Sequence, residues 1–146
     1  MTITYGDQLD RIRTDQLTGF FVGWAVRHAP EKHLAILRNS SHVWLAWDTE
    51  ADRVVGFVTA LTDGMQAAFI PMLEVLPAWQ HRGIGSELMR RMLATLGTLP
   101  AIDLTCDPAF QPFYEKLGMQ RSVGMVIRHY PTQRQPNATP APVPSA

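Results

Sequence analysis

The stretch Leu73-Glu74-Val75-Leu76-Pro77-Ala78-Trp79-Gln80-His81-Arg82-Gly83-Ile84-Gly85-Ser86-Glu87-Leu88-Met89 constrains this chain more than any other. An apolar strand runs into Pro77. A short basic loop with two glycines follows, and a helix starts between Gly83 and Ser86. Spacing carries the helix: Ile84, Leu88 and Met92 recur every four residues, with Met89, Leu93 and Leu96 beside them. Glu87 and Arg91 stand one turn apart and can pair. Strand, glycine turn and helix N-terminus together make a site for an anion. The first N–H groups of a helix lack internal partners and sit at the positive end of its dipole. Gly83 and Gly85 remove side chains that would hold a phosphate away from those groups. His81 and Arg82 add donors, and Arg82 adds permanent charge. On the residues alone, a pyrophosphate cradle and an ordinary strand-to-helix turn both stay open.

Before this stretch, Ile3 and Tyr5 fit a short first strand. Thr14 or Asp15 can cap a helix, and Leu17, Phe20, Phe21, Trp24 and His28 then fall at helical spacing. That aromatic stripe is either core packing or part of an acceptor pocket. Pro30 suits a first helical position, with Leu34 and Leu37 facing inward to residue 39. Strands are expected over 42–48, 54–62 and 66–76, joined by short turns, with Asp63-Gly64 as a hairpin signal. Pro71 lies inside the third of these and cannot donate to a ladder, so pairing is disturbed there. A short strand over 101–105 comes after the glycine-loop helix. Asp107-Pro108 then opens a helix carrying Phe110, Phe113, Tyr114 and Leu117, with Gly118 as its C-cap. Residues 123–130 read as a final strand. Residues 131–146 are rich in Pro, Ala, Thr and Gln and read as a disordered tail outside a domain of residues 1–130.

Composition bounds the function. The chain of 146 residues is long enough for one domain that buries a core, and its formal net charge is zero. Zero net charge argues against a nucleic-acid binder that works by neutralising phosphates. Cys106 is the single cysteine, so no internal disulfide forms. No basic-then-apolar leader opens the chain and no apolar run reaches the ~20 residues of a membrane span, so a cytoplasmic protein with no membrane partner is expected.

Gln80-x-x-Gly83-x-Gly85, just after a strand ending in Val-Leu-Pro, resembles the Q/R-x-x-G-x-G/A motif of the GNAT acetyltransferase superfamily. Phe113-Tyr114-Glu115-Lys116-Leu117-Gly118-Met119 is similar to the F-Y-x-K-x-G-F segment of the same superfamily. The dinucleotide fingerprint does not fit, because Leu88 stands where a third glycine is needed, and no P-loop Gly-Lys-Ser/Thr follows. The resemblance covers roughly residues 40–130. It implies a mixed α/β fold with a mostly antiparallel, splayed central sheet flanked by about four helices. It also implies acetyl-CoA as co-substrate, no metal, and a small-molecule or peptide amine as acceptor. A homodimer is among the assemblies it allows.

The resemblance further implies roles for named residues. The loop Gln80, His81, Arg82, Gly83, Ile84, Gly85 and Ser86 would hold the pyrophosphate. Backbone groups of Leu73 and Val75 would pair with the pantetheine arm, and the Val75 N–H could stabilise the oxyanion. Tyr114 is the candidate general acid. Glu74 is the candidate base, because a carboxylate in an apolar strand has its pKa raised. The family carries its glutamate about three residues earlier, near Pro71. That departure leaves a water chain or His42 as other bases, and a substrate-binding role or a structural pairing with an arginine as alternatives for Glu74. Two other readings stand beside the enzyme: a non-catalytic acyl-CoA-binding module, and a structural α/β protein that binds no cofactor.

Overall fold

The structure, a computed structural model, describes residues 1–131. Five strands form one sheet in sequence order: β1 (Ile3–Gly6), β2 (His42–Asp48), β3 (Arg53–Thr62), β4 (Ala67–Val75) and β5 (Ala101–Asp103). The first four pair antiparallel, and β4 pairs with β5 in parallel. The α-helices are α1 (Pro30–Asn39), α2 (Ile84–Leu96) and α3 (Gln111–Glu115). Single 3-10 turns cover Thr14–Leu17, Pro77–Trp79 and Pro108–Phe110. This is the mixed α/β, splayed-sheet architecture expected, with three α-helices among the described residues.

The middle of the sheet is buried on both faces. Every residue from Val54 to Ala60 in β3 is buried, as a central strand covered twice requires. On one face, α2 lays down Ile84, Leu88, Met89 and Met92, all buried. Burying each such side chain contributes about 1.5–3 kcal/mol. Gly56 lets α2 come close: a Cβ there would stand 3.1 Å from Leu88 and 3.3 Å from Ile84. On the other face, Phe57 packs against Phe20, Phe21 and His33.

Two features of β4 open the sheet on one side. Its register against β3 advances from Met72 to Phe69 while β3 advances from Thr59 to Leu61. One extra residue is therefore inserted on β4 around Ile70 and Pro71, where proline has no N–H to give. Beside this bulge, β4 loses its other neighbour. The pairs with β5 stop at Phe69 and Asp103, and the two strands part.

Three expectations fail. No helix spans 14–28: a 3-10 turn ends at Leu17, and Gly19, Phe21 and Gly23 then take φ values of +88°, +67° and +76°. A helix cannot pass through residues in that region. The turn's N-cap is Arg13 rather than Thr14 or Asp15, and the Gln16 side chain accepts from the Arg13 N–H at 3.0 Å. Residues 123–130 form no strand, and among the described residues none pairs with them in a ladder. The helix expected after Asp107 breaks into a 3-10 turn and the short α3. The expected tail falls, beyond Pro131, outside the described residues.

Candidate active site

The glycine loop is built as its residues dictate. Trp79 ends a 3-10 turn opened by Pro77, and its indole N–H donates to Asp48 at 2.9 Å. Asp48 also accepts the N–H groups of Glu50 and Ala51 at 3.0 and 3.3 Å. The Trp79 bond first, then these, hold its carboxyl below the usual range. His81 and Gly83 are left-handed, at φ +62° and +81°. Gly83 is the N-cap of α2, and a Cβ there would meet nothing within 4 Å. The first intrahelical bond runs from the Glu87 N–H to the Gly83 carbonyl at 3.0 Å. The N–H groups of Ile84, Gly85 and Ser86 are thus the ones an N-terminus leaves without a helical acceptor. His81, Arg82 and Gly83 are all exposed beside them. Farther along α2, Glu87 accepts from Arg91 at 2.8 Å, as its spacing predicts.

Gln80 does something the motif alone does not disclose. Its side-chain amide donates to the Val75 carbonyl at 2.9 Å, tying the loop to the end of β4. One bond fixes which groups lie along the edge of β4: the Leu76 N–H donates to the Val55 carbonyl at 2.8 Å. Backbone groups alternate sides along a strand. Glu74 therefore faces β3 with its backbone, while Leu73 and Val75 face the gap left by β5. The Val75 side chain and Phe113 both come within 3.7 Å of where a Cβ on Gly85 would sit. Strand end, helix start and α3 thus converge at Gly85.

Tyr114 follows on α3. Its ring meets that of Phe113 edge-to-face at 4.9 Å, and it lines a groove of about 420 Å³ with Ile102, Leu104 and Cys106. Burial first, and Cys106 second, push the phenol up to about 12, so it holds its proton at neutral pH. The Cys106 thiol is also raised, by burial and then by Asp107, and the side chain is half-buried. A protonated thiol is a poor nucleophile.

Glu74 is half-buried and turned to the opposite face from α2, alongside its cross-strand partner Phe57. Both its carboxylate oxygens accept from the Phe21 N–H, at 2.8 and 2.9 Å. Burial raises its pKa, against the lowering effect of the Phe21 and Val22 N–H groups. The aromatic stripe surrounds this contact. Phe21 meets Trp24 at 5.3 Å, His28 at 4.9 Å and His33 at 4.9 Å between ring centroids. His33 is fully buried, and neither ring nitrogen has a hydrogen-bond partner. Burial and the nearby His28 lower its pKa to about 4. Sequence reasoning missed His33 and the Phe21 N–H. The signal was Gly19 and Gly23, which bracket the phenylalanines and mark left-handed turns rather than helix positions.

Known proteins resemble this chain over most of its length. Residues 9–119 match the model of the Acetyltransferase (GNAT) family. A crystal structure from Deinococcus radiodurans, assigned as an acetyltransferase, is 44% identical with a TM-score of 0.84, over 88% of this chain and 89% of that one. Serotonin N-acetyltransferase of Mesocricetus auratus is 40% identical over 60 residues, 39% of this chain and 29% of that protein. GCN5-related N-acetyltransferase 1, chloroplastic, of Arabidopsis thaliana is 29% identical over 111 residues, 73% of this chain. The chain spans about half the length of that second relative, 56%. The glycine loop at the head of α2, the parted strands beside it and the match over residues 9–119 agree, and the chain belongs to the acetyltransferase (GNAT) family.

Proposed function

We propose that this protein transfers the acetyl group of acetyl-CoA directly to a primary amine of a small molecule or peptide. One observation carries the reading: the open N-terminus of α2 lies next to an unladdered stretch of β4. The first offers N–H groups for a diphosphate, and the second offers backbone pairing for an amide-bearing arm. Gly83 leaves the space for it, since no atom lies within 4 Å of a Cβ built there. Gln80 to Ser86 hold the diphosphate, and Leu73 and Val75 hold the arm. The Val75 N–H faces the gap, where it can donate to the thioester oxygen as charge develops on it.

The transfer forms a C–N bond and breaks the C–S bond. The amine loses a proton to Glu74, whose raised pKa makes it a better acceptor than an exposed carboxylate. The departing thiolate takes a proton from the Tyr114 hydroxyl. Trp24, Phe21 and His28 form the aromatic wall near Glu74. The Mesocricetus auratus relative is named for serotonin, an amine, which supports an amine acceptor. The test is paired. Acetyl-CoA raises the melting temperature by binding the folded state, and an amine panel then releases free CoA thiol. An unchanged melting temperature at near-millimolar acetyl-CoA overturns the proposal.

A second reading, a non-catalytic acyl-CoA-binding module, is favoured by a specific observation. Both oxygens of Glu74 are already engaged by the Phe21 N–H, and Pro71 stands where the family's glutamate is expected. That reading predicts the thermal shift without thiol release.

A further inference from the structure

Arg53 opens β3 and touches both halves of the site. Its partner across the β2–β3 turn is Asp48, and the two grip Trp79 together. Asp48 accepts the indole N–H at 2.9 Å, while the Arg53 guanidinium lies over the ring, 5.6 Å from its centroid. Trp79 comes directly before Gln80, so this grip sets where the glycine loop begins. The same guanidinium reaches the other loop. Its Nη2 donates to the Thr18 carbonyl and stands 3.3 Å from the Thr18 hydroxyl. A Cβ on Gly19 would stand 3.6 Å from that Nη2 and 3.6 Å from Leu76. Two residues farther on, the Phe21 N–H holds Glu74.

Stability does not account for an arginine at this place. Arg53 is half-buried and has no ion pair among the described residues. Its Nε is enclosed and has no hydrogen-bond partner. Enclosing such a donor works against the fold. An apolar side chain of similar length would fill the space without that cost. It could not bind a carbonyl on one loop and an aromatic face on another at once, which a planar guanidinium does.

We infer that Arg53 is a positioning residue that ties the turn holding Glu74 to the loop that cradles the cofactor. Its role rests on the acetyl-transfer reading, in which an amine at Glu74 must meet a thioester beside Val75. A misplacement of about 1 Å there costs roughly 10²-fold in rate. The tie also has an effect that needs no acetyl transfer. Burial raises the Glu74 pKa, and the Phe21 and Val22 N–H groups lower it. Without the Thr18 tether the turn slackens, those N–H groups withdraw, and the carboxyl titrates higher. The other titratable groups against this turn, His28 and His33, meet the Phe21 ring and are left in place by a change at Arg53.

Arg53→Met tests the tie in the full chain. Its melting temperature is expected to stay near the parent's. For the fastest amine of a panel, kcat at saturating acetyl-CoA is expected to fall about 10²-fold. The Kd for acetyl-CoA is expected to rise on the order of 10-fold. The Glu74 carboxyl, followed by carbon NMR without cofactor, is expected to titrate at higher pH. Arg53→Lys keeps the charge but not the planar fork, and is expected to show the same three changes in lesser degree. A lower melting temperature with kcat, Kd and the Glu74 titration all unchanged makes Arg53 a scaffold residue and overturns the inference. Full recovery in Arg53→Lys overturns it too, because charge alone would then suffice. A Glu74 titration that stays put in Arg53→Met sinks the tie and leaves the acetyl-transfer reading standing. A parent chain that binds no acetyl-CoA sinks that reading, and the cofactor half of the tie with it.

Discussion

The Phe21 N–H is shared between the two carboxylate oxygens of Glu74, at 2.8 and 2.9 Å. Phe21 is left-handed at φ +67°, a region costly for a residue with a Cβ. The carboxylate therefore fixes an otherwise unfavourable loop against β4. Glu74→Ala leaves a partly buried N–H without its acceptor and is expected to destabilise the protein by about 1–3 kcal/mol, read by denaturant unfolding. Glu74→Gln keeps one oxygen and most of that stability. If Glu74 also takes the amine's proton, Glu74→Gln lowers kcat by roughly 10²–10⁴-fold with the melting temperature nearly unchanged.

Gly83 tests the cradle. Gly83→Glu places bulk and negative charge against the open N–H groups of α2 and is expected to abolish the thermal shift caused by acetyl-CoA. Gly83→Ala meets no atom within 4 Å but must hold φ +81°. It is expected to cost about 1–2 kcal/mol of stability while keeping the shift. Calorimetry of both variants with and without acetyl-CoA separates strain from lost binding.

Tyr114→Phe removes one oxygen and leaves the contact with Phe113. Acetyl-CoA binding is expected to persist, with transfer slowed about 10²–10⁴-fold. The phenol titrates at about 12, so no loss of activity from its ionisation is expected as pH rises from neutral to mildly basic. A tyrosine-dependent fall in that window would contradict its role as the proton donor.

His33 governs part of the acid stability. Its pKa falls from 6.5 to about 4 on folding, so the fold prefers the neutral ring. Stability from this group is full above about pH 6.5 and is lost as pH falls toward about 4, the loss reaching about 3 kcal/mol. Asp48, with its lowered pKa, adds loss at still lower pH. Glu74, with a raised pKa, works in the opposite direction. Melting temperature against pH is expected to fall less steeply in His33→Leu than in the parent chain.

Much of the fold and the site was legible in the residues, and the failures have physical causes. Ile84, Leu88 and Met92 disclosed α2 because a helix that covers a sheet must repeat its apolar face. Pro71 disclosed the bulge because a residue without an N–H interrupts the ladder of an apolar strand. The stripe from Leu17 to His28 imitated a helix. Its aromatic rings do gather on one side, but three left-handed residues bring them there. The contact from Phe21 to Glu74 spans 53 positions along the chain, and no local pattern encodes it. Residues 123–130 have a strand's composition, but composition does not supply the neighbour that a strand needs.

The inserted residue at Ile70 and Pro71 works as a zip-stop. Without it, β4 and β5 could close along their whole length and the sheet would be sealed. With it, the seam stays unfastened from Leu73 to Val75, and what it can receive is defined by main-chain polarity and reach. On the acetyl-transfer reading, the side chains of Leu73 and Val75 can therefore be retailored for new acceptors without touching the main-chain groups that would hold the arm, whereas Glu74 between them stays fixed by Phe21.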